Sequence, residues 1–394
     1  MTYRRTDMAR QLAQRLLRPG ALDEGLRSGL FLSGPRRIGK STFLMTDLVP
    51  ALSDHGAVVI YVDLWSNMAE DPARLVHAAV RATLKALSTA GSSVLQALKK
   101  IRGLDVGVAG FKFGFKLDDV GKDDGPTLAQ VFADIVRQAQ TDVVLIVDEV
   151  QQAATSANGE AMLYALKAAR DQVNLTPGMP GKFLFVGTGS HRARVAELTA
   201  RRNAAFNGAI SLDFPLLGDD FVDYTLHRVA PELGAKLPSA PAAASVFKTL
   251  GNRPEEFNKA LAVLRSLPSP LPEPDRAFAT IAATLRASAA DAEIDKLTRL
   301  GPLALAIFDR VVRGGENLQL FSSEAADAYS ASAGRKVQVD EIQPVMNQIL
   351  AENILMRRGH GQYQVTDHFV QEIWLERAAD PILGGDSPPR DDQS

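Results

Sequence analysis

Residues 29–42 read Gly-Leu-Phe-Leu-Ser-Gly-Pro-Arg-Arg-Ile-Gly-Lys-Ser-Thr, and this stretch decides the fold. Gly29–Ser33 is a short apolar strand, and a helix is predicted from Lys40 to about Leu48. Between them Gly34-Pro35-Arg36-Arg37-Ile38-Gly39-Lys40-Ser41 matches the phosphate-loop pattern G-x-x-x-x-G-K-[ST]. Its glycines let the backbone turn several N–H groups toward one anion. The helix adds the positive end of its dipole. Lys40 is then expected to reach the β- and γ-phosphates of ATP, with the Ser41 hydroxyl on Mg²⁺. Gly34, Pro35, Arg36, Arg37, Ile38, Gly39 and Thr42 complete the expected nucleotide cradle.

A phosphate loop needs an acidic partner. Val143-Val144-Leu145-Ile146-Val147-Asp148-Glu149 is an apolar strand ending in two carboxylates. In a parallel sheet the strand C-termini share one edge, so Asp148 should lie beside Ser41 and hold Mg²⁺ through water. Glu149 is the expected acceptor of a proton from the attacking water. The alternative for the pair is two solvated charges capping a helix.

The neighbouring chain fits this reading. Besides that strand, which runs over Asp142–Asp148, Ala57–Leu64 and Lys182–Thr188 are buried strands, and helices are predicted over Asp71–Leu87, Thr127–Gln140 and Glu160–Gln172. Continuous apolar strands alternating with helices specify a parallel sheet covered on both faces. An α/β core is therefore predicted over 1–215 and a small helical lid over 216–266. Leu267–Pro274 is a proline-rich connector. A mostly helical domain follows over 275–378, with a tail over 379–394 expected to be disordered.

The whole chain has 394 residues, a formal net charge of −2 and no cysteine. Cysteine's absence excludes disulfides, thiolate zinc sites, iron–sulfur clusters and a cysteine nucleophile. The overall charge does not call for nucleic acid or an anionic membrane. The polar start of the chain and the lack of a long apolar run lead us to expect a cytoplasmic protein without a membrane partner.

Further candidates follow the strand Phe183–Gly187. Thr188 and Ser190 are placed to orient water or read the γ-phosphate, or else to cap a helix. Arg192, Arg194, Arg201 and Arg202 are candidates for a transition-state cation, against solvated surface arginines. Arg253, in Gly251-Asn252-Arg253-Pro254, either swings toward nucleotide or marks an exposed helix start. Asp63 positions Mg²⁺ or water, or is a turn residue. Phe111, Phe113, Phe115 and Leu117 alternate with Lys112, Gly114 and Lys116, which reads as a strand with an aromatic and a basic face.

These motifs together resemble the archaeal-type ATPases in the STAND branch of the AAA+ superfamily. The likeness rests on Gly34–Thr42, Ile60-Tyr61-Val62-Asp63, Asp148-Glu149-Val150-Gln151, Gly187-Thr188-Gly189-Ser190 and Phe214-Pro215-Leu216-Leu217. It spans about Met1–Arg265. It implies ATP hydrolysis, with Lys40 and Ser41 on nucleotide and Mg²⁺, Asp148 on Mg²⁺, and Glu149 activating water. It also implies a winged-helix domain after the lid. One position departs from the family: Ala209 stands where an arginine often ends the segment before Phe-Pro-Leu, which puts an arginine finger in doubt.

In the C-terminal domain, Val339–Glu352 occupies the recognition-helix position, and Gly359-His360-Gly361 signals a hairpin. That helix carries Asp340, Glu341 and Glu352 and no basic residue, whereas phosphate contacts need cations. The expectation is an ATP-driven switch acting on a protein partner, with oligomerisation compatible. The alternative is a DNA-binding ATPase resembling origin-recognition or transposition-loader proteins.

Overall fold

The computed structural model describes residues 2–379 apart from 68, 103–109, 191, 201–203, 315–318, 353 and 360. The chain divides into two compact units, Met1–Leu217 and Gly218–Ser394.

In the first unit, α1 (Thr6–Leu17) buries Ala9, Leu12, Ala13 and Leu16 on one face, a helical spacing. A 3₁₀ segment, Ala21–Ser28, leads into β1 (Leu30–Ser33). A helical run over 40–54, α2, begins at Lys40 and widens into a π turn over Leu44–Leu48. Pro50 follows that turn. It has no N–H to donate and its ring crowds the preceding turn, which is a physical reason for the widening. Then come β2 (Val58–Asp63), α3 (Pro72–Ser88), α4 (Ser93–Arg102), α5 (Leu128–Ala139) and β3 (Val143–Asp148). The unit ends with α6 (Ala157–Leu175), β4 (Phe183–Gly189), α7 (Arg192–Ala200) and β5 (Ile210–Asp213).

The five strands form one parallel sheet in the order β2-β3-β4-β1-β5. The inner strands β1, β3 and β4 are buried throughout, while the edge strands β2 and β5 alternate. Val143, Leu145 and Val147 join Phe31, Val58, Ile60, Phe183 and Phe185 in the core on one face. Val144 and Ile146 join Leu30, Leu32, Leu184 and Val186 on the other, closed by α1 and α2. Both faces are thus covered, as the continuous apolar strands predict. Gly187 lets β4 approach β1 closely: a Cβ there would sit 2.7 Å from the Phe31 ring.

Two local features differ from the sequence reading. β5 is not anticipated, because four half-exposed residues at a sheet edge give little apolar signal. Residues 111–116 are not a strand. The Gln138 side chain takes the place of a neighbouring strand, accepting from Lys112 N at 3.1 Å and donating to Lys112 O at 2.8 Å. Phe111 is buried there, and the Phe113 and Phe115 rings pack 5.7 Å apart.

The second unit opens with α8 (Asp219–Leu233), α9 (Ala240–Thr249) and α10 (Pro254–Ser266). They meet around Phe221, Phe247 and Phe257. The 27-residue α11 (Pro274–Leu300) adds Phe278 to that cluster and gives Ala290 and Leu297 to a second core. That core contains α12 (Pro302–Arg313), α13 (Ser323–Ala333), α14 (Val339–Ala351), the antiparallel pair β6 (Leu355–Gly359) and β7 (Gln362–Val365), and α15 (His368–Ala379). His360, and the expected tail from Asp380 onward, lie outside the described residues. Among the described residues no helix is long and apolar enough to cross a membrane.

Candidate nucleotide site

The C-terminal ends of β1, β3 and β4 lie side by side, with that of β2 beyond β3, and the polar groups of the first unit's site hang from them. β4 separates the other two, so the tip Thr188-Gly189-Ser190 stands between the loop and the acidic pair. Gly34 N–H donates to Gly189 O at 3.2 Å and anchors the loop to β4. Arg37 (φ 64°) and Gly39 (φ 91°) both turn left-handed. Gly39 reaches that region without the steric cost a Cβ would bring. Ile38 is buried beneath the loop, while Pro35, Arg37, Ser41 and Thr42 are exposed. Phe43 N–H donates to Gly39 O and opens the helix. The first N–H groups of a helix have no acceptor within it, which suits them to an anion.

Lys40 is buried, at 5 % exposure, and its Nζ donates to Gly34 O and Pro35 O, each at 2.7 Å. Burial pushes its ammonium below the ordinary lysine pKa. The negative charges of Glu149 and Asp148 pull the other way, and Arg36 adds to the depression. The loop lysine and the acidic pair are thus near enough to feel each other's charge.

Asp148 is 1 % exposed. Its Oδ2 accepts from the Tyr61 hydroxyl at 3.0 Å, and its Oδ1 accepts from the Thr188 hydroxyl and from Glu149 N–H at 3.1 Å. Burial, then the Asp148 charge, raises the Tyr61 phenol far above its usual range, so it stays a donor. Asp63 pairs with Asp148 in the strand register. Its carboxyl is raised by burial and by the charges of Asp148 and Glu149, partly offset by the Trp65 N–H. Three carboxyl groups crowded at one edge form a field that a cation would relieve.

Glu149 adopts φ 54°, which turns it out of the strand line. Its Oε2 accepts from the Ser190 hydroxyl at 2.9 Å, from Ser190 N–H at 3.3 Å and from the Gln151 amide. Gln151 also donates to Ser190 Oγ at 3.2 Å, and its own Oε1 is buried without a hydrogen-bond partner.

The family described as an "ATPase domain predominantly from Archaea" matches residues 19–174, which contain the loop, Lys40 and the Asp148–Glu149 pair. Over those residues the chain carries an archaeal-type ATPase domain. It is an ATPase and binds nucleotide. No curated protein matches this ATPase. Among solved structures it is similar to the Aeropyrum pernix ORC2 protein in its ADP form, at 13% identity and TM-score 0.50, covering 96% of each chain. It is also similar to the Aeropyrum pernix ORC1 protein in complex with DNA, at 16% identity and TM-score 0.44, covering 97% of this chain and 94% of that one. The first likeness is one of fold, and the second adds nothing to it.

Of the residues singled out in the ATPase sequence, Lys40, Asp148, Glu149 and Ser190 come together, with Arg36 beside Ser190 (Nε to Oγ 3.5 Å). Thr188 is fully buried and bonded to Asp148, so it braces that carboxylate rather than facing water. The side chains of Arg192 and Arg194, and all of Arg201 and Arg202, lie outside the described residues. Tyr61 and Gln151 gain roles that no pattern in the sequence assigned them.

Arg253, expected to reach toward nucleotide or to sit exposed, is instead engaged inside the second unit. It binds Asp367 bidentately at 2.8 and 2.9 Å and stacks 4.2 Å over the Phe369 ring. Its side chain is only 11% exposed. Breaking a largely buried, bidentate pair leaves one charge uncompensated. Arg253→Ala and Asp367→Ala are each expected to cost ~2 kcal/mol of stability. Chemical denaturation of single and double variants measures this. Strictly additive losses would show that the two groups do not act as a pair.

Proposed function

We propose that the chain is an ATP-driven switch: it binds Mg-ATP through Gly34–Thr42, hydrolyses it with Glu149 as base, and thereby changes the grip of its second unit on a protein partner. The observation that carries this reading is the tethered Glu149 carboxylate, held by Ser190 and Gln151 in the site that Lys40 shares. A base so held is in place but engaged, as a switch at rest requires.

In hydrolysis, water attacks the γ-phosphorus, the bond to the bridging oxygen of ADP breaks, and Glu149 takes the water's proton. Lys40 balances charge on the β- and γ-phosphates. Ser190 orients Glu149 or the water. The residues present suit Mg²⁺. The exposed Ser41 hydroxyl and the Asp148 carboxylate are hard oxygen donors. No cluster of three or more His, Cys, Asp or Glu among the described residues could hold a metal alone. Phosphate oxygens and water would then complete its shell. Mg²⁺, when bound, neutralises phosphate charge.

For the second unit, the order α12-α13-α14-β6-β7 supports a winged-helix reading. The face expected to dock is acidic: α14 carries Asp340 and Glu341, and the nearby Arg335 is paired with Glu341 at 2.9 Å. A duplex would find few cations there. This favours a protein over DNA. The chain trapped as Glu149→Gln with ATP tests it. Retention of a defined protein from cell extract, absent in the nucleotide-free form, is expected. Nucleotide-dependent retention of duplex DNA that fades with added salt would replace this reading with the DNA-binding one.

A further inference from the structure

Arg36 lies in the middle of the phosphate loop, and among the contacts of its side chain are Trp65 and Ser190, which the sequence does not foretell. Its guanidinium carbon stands 4.2 Å from the centroid of the Trp65 indole. Its Nε lies 3.5 Å from Ser190 Oγ, the hydroxyl that donates to Glu149. Trp65 directly follows β2 and is set by its own backbone, whose N–H donates to Asp63 Oδ1 at 2.8 Å. Its indole N–H is buried and makes no hydrogen bond. The ring therefore serves this site through its face.

Stacking on an aromatic face uses the plane of a guanidinium and leaves its N–H edge directed at acceptors. The Ser190 contact is at the long limit of a hydrogen bond and is easily exchanged for a better acceptor. Arg36 also sits close enough to Lys40 for its charge to lower the affinity of that ammonium for its proton. A planar cation from the phosphate loop is thus held on Trp65 and against Ser190, the hydroxyl that tethers Glu149.

We propose that Arg36 is the chain's own transition-state cation, meeting the charge that grows on the terminal phosphoryl group, with the Trp65 indole as the platform that holds its guanidinium in plane. This rests on the hydrolytic reading above. It also fits Ala209, which occupies the position where the resemblance leads one to expect an arginine and cannot supply a charge. Arg36 transfers no proton. It stabilises oxygen charge while the bond to ADP breaks and Glu149 receives the water's proton.

The test uses the full chain in a Trp374→Phe background, which leaves Trp65 as the one remaining tryptophan of the two in the sequence. Single-turnover rates, nucleotide affinities by calorimetry, and indole emission are measured for the parent, Arg36→Ala and Arg36→Lys. Arg36→Ala is expected to lose ~100-fold in turnover, with ADP affinity held within about threefold. Arg36→Lys should recover only part of the rate, because an ammonium neither stacks in plane nor forks. A non-hydrolysable ATP analogue should change Trp65 emission in the parent and not in Arg36→Ala, and ADP should leave it unchanged in both. Wild-type turnover in Arg36→Ala, or an equal loss of ATP and ADP affinity at unchanged turnover, would overturn the proposal. A parent chain that neither binds nor turns over ATP would instead remove the hydrolytic reading beneath it.

Discussion

Lys40→Ala is expected to abolish ATP binding, weakening it by at least ~100-fold in titration calorimetry. Two effects combine. The ammonium is the buried cation that the loop offers to phosphate, and a charge-assisted contact contributes ~1.5–3 kcal/mol. The same Nζ also ties Gly34 O and Pro35 O together across the loop. Removing it frees two carbonyls and loosens the ring of amides that faces the anion. The unliganded fold should nevertheless survive, because burial already works against this charge. A thermal midpoint near that of the parent would therefore accompany the lost binding. Binding within about threefold of wild type would show that the loop holds no phosphate.

Glu149→Gln separates binding from chemistry. The amide keeps the shape of the carboxylate and one acceptor for Ser190, but it cannot take a proton from water. Turnover is expected to fall ~1000-fold, in the range that general-base removal produces, with ATP affinity little changed. Mixing experiments should then give a stable ATP complex without phosphate release. Turnover at the wild-type rate would take Glu149 out of the mechanism.

The residues that carry these predictions were legible because they obey local rules. Gly34, Gly39 and Lys40 sit at fixed spacing between a strand and a helix, and Asp148 ends a strand whose apolar run places it in a parallel sheet. What stayed hidden depends on register between distant segments. The sequence gives no sign that β4 lies between β1 and β3, so Thr188 reads as a water-facing hydroxyl when it is the brace of Asp148. Tyr61 reaches Asp148 across 87 positions and Arg253 reaches Asp367 across 114. No window of neighbouring residues records such pairings. The alternation over 111–117 misleads for the opposite reason. An edge strand and an extended segment satisfied by one glutamine side chain look alike in sequence.

Strand order also governs how the chain can be made and cut. β1 pairs only with β4 and β5, whose first residues are Phe183 and Ile210. While the polypeptide emerges from the ribosome, the strand that carries the phosphate loop has both its hydrogen-bonding edges open until Phe183 and the rest of β4 have appeared. Such late, non-local closure slows folding and exposes sticky edges to other nascent chains. The segment 19–174 that matches the ATPase family stops short of both partners. A fragment trimmed to that segment would hold the signature residues and lack the two strands that flank the loop's own strand, so expression boundaries belong beyond Asp213.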